Sequence, residues 1–383
     1  ETEPVTREKE VGGGFRHALH RELLRLTRTP GLKTLFLAAP VLYLAMYGAM
    51  YAGKEERRIP LAVTGGTSSE FSREVSIALS GHPQLMVMHM TRSDARSALG
   101  LGKVRGVLDI PTDLDIRIRR REATAIPLLF VADRFLPAND LQRSIGDVLS
   151  NFGARERLLI FESKGMNPAT ARERATALQL EDRPLGNPRE TYGDFMLPAL
   201  GVLILHQLCL IASAFAAAAS PGAHRWKDFV ARILLLVGWY GAWGAIWIGI
   251  VLPAMSVPVA PHVGALLALF ALGLTATSLL GSIAGIWFKD PGSAAQILAF
   301  TSYPFFFSSG ASWPRELFPA IIDGFGRMVP MTPWIVGANR AIRLDSGFLD
   351  VRPEIVHLGI LIAIGSAALA LAARSVKNRH LQA

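Results

Sequence analysis

The chain has 383 residues, of which 50% are hydrophobic and 19% charged, and its mean hydropathy is positive. That balance excludes an ordinary soluble globular protein, and one cysteine, Cys209, excludes a disulfide framework or cysteine-based metal site built within one chain. A net charge of +9 would suit nucleic acid, but the apolar residues are clustered, so where Lys and Arg lie relative to the clusters decides the matter, and no nucleic-acid partner is expected.

In chain order, "ETEPVTREKEVGGG" lacks the pattern of a cleaved signal peptide and reads as a solvated tail. "FRHALHRELLRLTRTPG" puts Phe15, Leu19, Leu23 and Leu26 on one helical face with Arg and His opposite, the pattern of a helix lying in a membrane interface; the alternative is a short soluble helix that leads into the first span. Six stretches then have the roughly 20 apolar residues that a bilayer core requires: Lys33 to Ala52, Phe195 to Ala219, Ile233 to Leu252, Val263 to Phe288, Ala294 to Ser312 and Ile355 to Ala373. They lack the alternation of a membrane barrel, so they are expected to be helices.

Short-loop charges set the expected orientation. Arg16, Arg21, Arg25, Arg28 and Lys33 precede the first span, Arg225, Lys227 and Arg232 follow the second, and Arg374, Lys377 and Arg379 follow the last, so both termini are expected to be cytoplasmic. "PAMSVPVAPH" carries no charge and fits the opposite side. The insert 53–193 is polar and expected to be extracytoplasmic. There "IPLAVTG", "QLMVMHM", "VRGVLDIP", "DLDIRIRR" and "IPLLFVAD" read as strands, and "SSEFSREVSIALSG" and "TRSDARSALGLG" as capped helices, which predicts a small α/β sheet. A helical pattern from Ala138 to about Ser163 and the loop "LEDRPLGNPRE" lead back to the membrane. The expected fold is thus a polytopic α-helical membrane protein: a tail and interfacial helix over 1–32, a first span over 33–52, the α/β domain, a five-helix membrane domain over 194–374 and a cytoplasmic tail over 375–383.

Several constellations could carry function. His206 and Gln207 lie inside the second span, where polar groups are functional candidates or form one interhelical hydrogen bond. Trp239, Trp243 and Trp247 recur every four residues on the third span; they would line a path for an amphipathic substrate or face lipid. Gly241, Ala245 and Gly249 form its small face, and Gly273, Thr277, Gly281 and Gly285 that of the fourth span, each suited to close helix packing. After the fifth span, "SSGASWPRELFP" breaks the helix, so Ser309, Gly310 and Pro314 are candidate gate positions within an outer interfacial or re-entrant segment, 308–353. "GGTSSE" is more simply a turn than an anion cradle, His17 and His20 lack the further ligands a metal site needs, and Asp109, Asp113, Asp115 and Asp133 read as solvated carboxylates. No P-loop pattern occurs, so the chain is expected to bind no cofactor itself.

With this layout, "HRELLRLTRTPGLKTLFLAAPVLYLAMYGAM", "FMLPALGVL" and "FFFSSGASWPRELFPAIIDGFGRMVPMTPWIVGANRAI" resemble, in order, the entry segment, second span and signature region of permease subunits of type 2 ABC exporters, in the subgroup with a large outer domain. The resemblance covers nearly the whole chain. It implies two permeases, as a homodimer or heterodimer, with separate ATPase subunits holding ATP and Mg, in the bacterial plasma membrane and in contact with lipid. It also implies export of a lipidic, polysaccharide-linked or drug-like substrate and leaves room for an accessory protein at the outer domain. Arg21, Glu22, Arg25 and Arg28, with Arg225, Trp226, Lys227 and Asp228 of the loop 220–232, would be the ATPase-coupling residues. One departure stands out: many relatives carry an acidic and basic run after the second span, and here "AAAASPGAHRWKDFVARI" lacks its glutamate; either Arg225, Lys227 and Asp228 substitute for it or the chain works beside a second, nonidentical permease. The rival reading is a membrane-anchored receptor or scaffold without transport activity; a secondary transporter is disfavoured by the shortage of buried charge and of inverted halves.

Overall fold

The computed structural model describes residues 14–51, 58–67, 69–120, 122, 124–131, 135–175, 186–187, 191–220, 226–259, 261–288 and 290–382. Its contacts divide the chain into two units, one formed by Glu1–Lys54 with Pro184–Ala383 and the other by Glu55–Arg183.

Helix α1, Phe15–Arg28, ends where Thr29 turns extended, because the ring of Pro30 disfavours helical backbone in the residue before it. Proline at the first position then suits the start of α2, Pro30–Met50. A π-helical turn, Thr34–Ala38, sits just before Pro40. Pro40 has no N–H for the Phe36 carbonyl four residues back, and in a span such a gap must be filled from a neighbour. Two side chains fill it: Trp239 Nε1 donates to the Phe36 carbonyl and the Tyr240 hydroxyl to that of Leu35, at 3.1 Å.

The inserted unit runs β1 Ile59–Thr64, α3 Glu70–Ser80, β2 Leu85–His89, α4 Arg92–Gly100, β3 Gly106–Asp109, α5 Leu114–Arg119, β4 Leu128–Phe130, α6 Phe135–Ser163 and α7 Pro168–Ala175. Ser69 and Thr91 cap α3 and α4, accepting from the Ser72 and Asp94 amides at 3.1 and 3.2 Å. The sheet order is β2-β1-β3-β4, with β1 parallel to both neighbours and β4 antiparallel to β3. Both faces are covered, one by Leu61, Val63, Leu79, Leu108 and Leu141, the other by Ala62, Ala95, Ala98 and Val107. That explains why β1 is apolar from Ile59 to Val63 rather than alternating.

"DLDIRIRR", expected as a strand, contains the helix α5 instead. Its alternation of Leu114, Ile116 and Ile118 is a false signal: Ile116 is exposed, and the pair Asp113–Arg117, at 2.7 Å, has helical spacing. "IPLLFVAD" contributes only the three residues of β4. Asp133 and most of "LEDRPLGNPRE" lie outside the described residues.

Beyond the insert come α8 Tyr192–Ala218, α9 Trp226–Ala254 and α10 Val263–Phe288, then α11 Pro291–Phe300, α12 Ser302–Ser308, α13 Ala320–Met328, α14 Met331–Arg343 and α15 Arg352–Gln382. Helix α8 is buried almost all round, which its uniform hydrophobicity anticipates. It lies against α10 at glycines: a Cβ on Gly281 would strike the Leu210 carbonyl and one on Gly285 that of Ala214, while Gly273 receives the Trp334 ring. Ser213 and Ser278 share a 2.9 Å hydrogen bond across this contact.

Among the described residues five helices, not six, are long and apolar enough to cross a membrane: α2, α8, α9, α10 and α15 up to Arg374. The expected fifth span, Ala294 to Ser312, is two short helices that part at Thr301. Pro304 cannot donate to the Phe300 carbonyl, and Thr301 Oγ1 and Ser302 Oγ turn back on the Leu298 and Ala299 carbonyls. The small face of α9 also differs from expectation. Ala245 and Gly249 are exposed and Gly241 barely reaches Leu274, whereas Gly244, which the pattern does not single out, seats the Phe270 ring.

Candidate functional site

Five charged side chains from α1 and α9 meet as a network of two ion groups, Arg21 with Asp228 and Glu22 with Arg25 and Arg232, which act on each other through the charges of Asp228 and Arg232. Spacing of three and four residues puts Arg21, Glu22 and Arg25 toward one side of α1, and Asp228 and Arg232 one turn apart on α9. Glu22 is fully buried; its Oε2 accepts from Arg232 Nε at 3.0 Å and its Oε1 from Arg25. Asp228, equally hidden, pairs with Arg21, and the Arg232 guanidinium lies 5.5 Å from the centre of the Phe229 ring. Isolated buried charges are costly and tolerable only in pairs, so the network fixes the register of α1 against α9. Sequence reasoning does not single out Arg232: it closes the expected coupling loop 220–232, one residue before the expected third span, and stands there as an orientation signal. Its spacing from Asp228 is the available clue.

Around this joint, Arg28, Trp226 and Lys227 are exposed, and Arg225 lies outside the described residues. Phe15 and Leu23 are also exposed, whereas Leu26 is fully buried, so the expected apolar face of α1 is divided between α9 and the surroundings.

The tryptophans expected along a path are committed to packing. Trp239 stacks on Phe36 with ring centres 4.7 Å apart and meets Trp243 edge-on at 6.2 Å, and Trp247 is buried over Gly201. Gln207 donates to the Leu298 carbonyl, the same acceptor that Thr301 uses at the α11–α12 break. His206 is fully buried, packs edge-on to Phe305 at 6.0 Å, and neither ring nitrogen has a hydrogen-bond partner. The two neighbours therefore differ, since Gln207 closes a backbone gap and His206 keeps its hydrogen-bonding capacity unused.

Ser309, Gly310 and Pro314 form the turn after α12. Ser309 Oγ donates to the Phe306 carbonyl at 2.6 Å and accepts from the Ala311 amide at 3.2 Å. Gly310 has φ +86°, and a Cβ there would collide with the Arg315 side chain. Pro314 is exposed and leads into a short 3-10 turn. Arg315 and Arg327 both bind Asp323, the latter at 2.8 Å, and hold its carboxyl below the usual carboxylate range. An apolar groove of about 530 Å³ opens between α12 and α13, lined by Pro304, Phe307, Trp313, Phe318, Ile322 and Phe325 among others. Gly310→Val is expected to strain this turn and lower the melting temperature while the protein still inserts and purifies; an unchanged melting temperature would show that the Arg315 side chain yields freely.

In the inserted unit two of the singled-out carboxylates make ordinary ion pairs, Asp109 with Arg92 at 2.8 Å and Asp113 with Arg117, whereas Asp115, expected to be solvated, has its Oδ1 buried without a hydrogen-bond partner. Among the described residues no group of His, Cys, Asp and Glu is arranged to hold a metal ion.

The family model described as ABC-2 family transporter protein matches residues 33–374. No curated protein matches the chain.

Proposed function

The chain belongs to the ABC-2 family of transporter proteins, and from that premise we propose that it forms half of the membrane part of an ATP-driven exporter, with ATPase subunits docking at the α1–α9 joint. A permease of this family works with ATPases carried on partner subunits, so the chain itself must receive a mechanical input. The observation that carries the reading is the buried network of Glu22, Arg232, Asp228, Arg21 and Arg25. A push on the exposed Trp226–Lys227 end of α9 would reach α1, and with it α2, as one rigid body instead of being lost in side-chain motion. Arg28 and Lys33, both exposed, extend the cationic rim of that surface. Short-loop charge supports the cytoplasm for this side.

The substrate side is argued from the other end of the helices. The apolar groove beside Trp313 and Phe325 suits a lipidic or drug-like molecule, and His206 gives the bundle core an unused polar group close to Phe305. The absent glutamate after α8 has a physical answer, because Asp228 supplies a buried carboxylate in the first turn of α9. That favours two identical permeases over the nonidentical pair. Export, the bacterial plasma membrane, an outward-facing inserted unit and an accessory protein there complete the proposal.

Copurification with an ABC ATPase encoded beside this chain, and ATP hydrolysis by the complex in lipid, are the expected results. Lys227→Glu should weaken that association about tenfold, or ~1.4 kcal/mol, if the ATPase face is acidic there. A chain that recruits no ATPase would be better read as a membrane-anchored receptor or scaffold.

A further inference from the structure

Strand β2 is an edge. Its only partner among the described residues is β1, in parallel register from Ile59↔Leu85 to Val63↔His89. In a parallel ladder alternate residues direct both backbone groups to the same neighbour. The Ile59 amide takes the Gln84 carbonyl at 2.7 Å and the Met90 amide takes the Val63 carbonyl at 3.2 Å, so Gln84, Met86, Met88 and Met90 face β1. Leu85, Val87 and His89 therefore point their N–H and C=O outward, apart from the Leu85 amide, which is satisfied by the His82 carbonyl at 3.1 Å.

Exposed edges normally carry Lys, Pro or a bulge that blocks further pairing. "LMVMH" carries none of these and shows Met86 well exposed. The outward set is also self-complementary. Across a two-fold axis at Val87, each Val87 amide meets the Val87 carbonyl of the second copy, and each His89 amide meets the Leu85 carbonyl of the second copy. The Leu85 amide, already used internally, gives nothing to the His89 carbonyl of the second copy, which is left to water. Opposed side chains are Leu85 with His89 and Met86 with Met88; past the strand end Arg92, held by Asp109, comes opposite His82, so no like charges of fixed sign meet.

We infer that two copies of this chain join their inserted units by antiparallel pairing of β2 with β2 about Val87, making one continuous sheet across the pair. A strand from another protein could also add to this edge, since any extended backbone offers such donors and acceptors, but the proposed permease pair already holds a second copy of β2 at high effective concentration. The inference rests on that proposed pair and requires its two chains to be identical.

The test uses the full chain in lipid. Met86 and Met88 of opposite copies form a non-hydrogen-bonded pair with Cα atoms about 4.5 Å apart, within disulfide range. Met86→Cys/Met88→Cys, oxidised with copper–phenanthroline, is expected to give a reductant-sensitive covalent dimer at least tenfold faster than Ile77→Cys, an exposed position on α3 of the same unit. Adding Val87→Pro should abolish that cross-link. Its amide faces away from β1, so the internal ladder loses no bond, and unchanged circular dichroism and melting would confirm the fold. Dimeric mass with cross-linking no faster than at Ile77→Cys overturns the β2 pairing and leaves the permease pair standing. A single copy in the purified complex overturns both, and a cross-link that survives Val87→Pro overturns the register centred on Val87.

Discussion

Arg232→Ala is expected to destabilise the helical unit by ~3–5 kcal/mol, because it strands Glu22 as a buried carboxylate with only Arg25 beside it. Melting of the purified protein in detergent should fall accordingly, and ATP hydrolysis in the presence of the ATPase should become insensitive to substrate. Glu22→Gln combined with Arg232→Met removes both charges and keeps the volume, so most of the stability is expected to return. Transport should recover less than stability does. A neutral contact holds the helices together but lacks the directional hydrogen bonds that fix their register. Equal melting points for Arg232→Ala and the parent would show that the joint is open to water and carries no load.

The network also explains how far the site could be read in advance. Arg21, Glu22, Arg25 and Asp228 stand out through the resemblance to type 2 ABC permeases, and the geometry brings all of them to the α1–α9 joint. Arg232 escapes notice because a basic residue at a helix start already has a sufficient explanation in topology. The long spans are legible for the same reason that bilayers are selective: a helix without charge over that length has few other places to go.

Less legible is everything that depends on what a neighbour supplies. Thr34–Ala38 looks like any apolar helix in the sequence, and only Trp239 and Tyr240 make its freed carbonyls tolerable. The Ala294 to Ser312 run passes a hydropathy test, yet it breaks at Thr301, where Gln207, from α8, donates to the Leu298 carbonyl. In "DLDIRIRR" a period of two rests on three residues, too few to outweigh the Asp113–Arg117 pair of helical spacing. On α9 the spacing of Gly241, Ala245 and Gly249 says that a small face exists without saying that it is used.

Glycines of α10 answer that question by contrast, and they set the second large effect. Gly285→Leu is expected to prevent normal assembly of the helical unit, with recovery of monodisperse protein falling at least tenfold. The Cβ alone would enter the Ala214 carbonyl, a backbone atom of the most buried helix, and cannot be relieved by a rotamer change. Overpacking commonly costs ~1–3 kcal/mol where side chains can yield; here α8 and α10 must separate, which also pulls apart Ser213 and Ser278. Gly285→Ala should give a milder form of the same loss, visible as a lowered melting temperature. At Gly249 and Gly359, where nothing lies within 4 Å, Ala is expected to be neutral or stabilising by up to ~1 kcal/mol through helix propensity. If Gly285→Ala melts like the Gly249 variant, then α8 and α10 can part at no cost. The close approach would then not be what positions His206 and Gln207, and their placement would have to come from α11 and α12 instead.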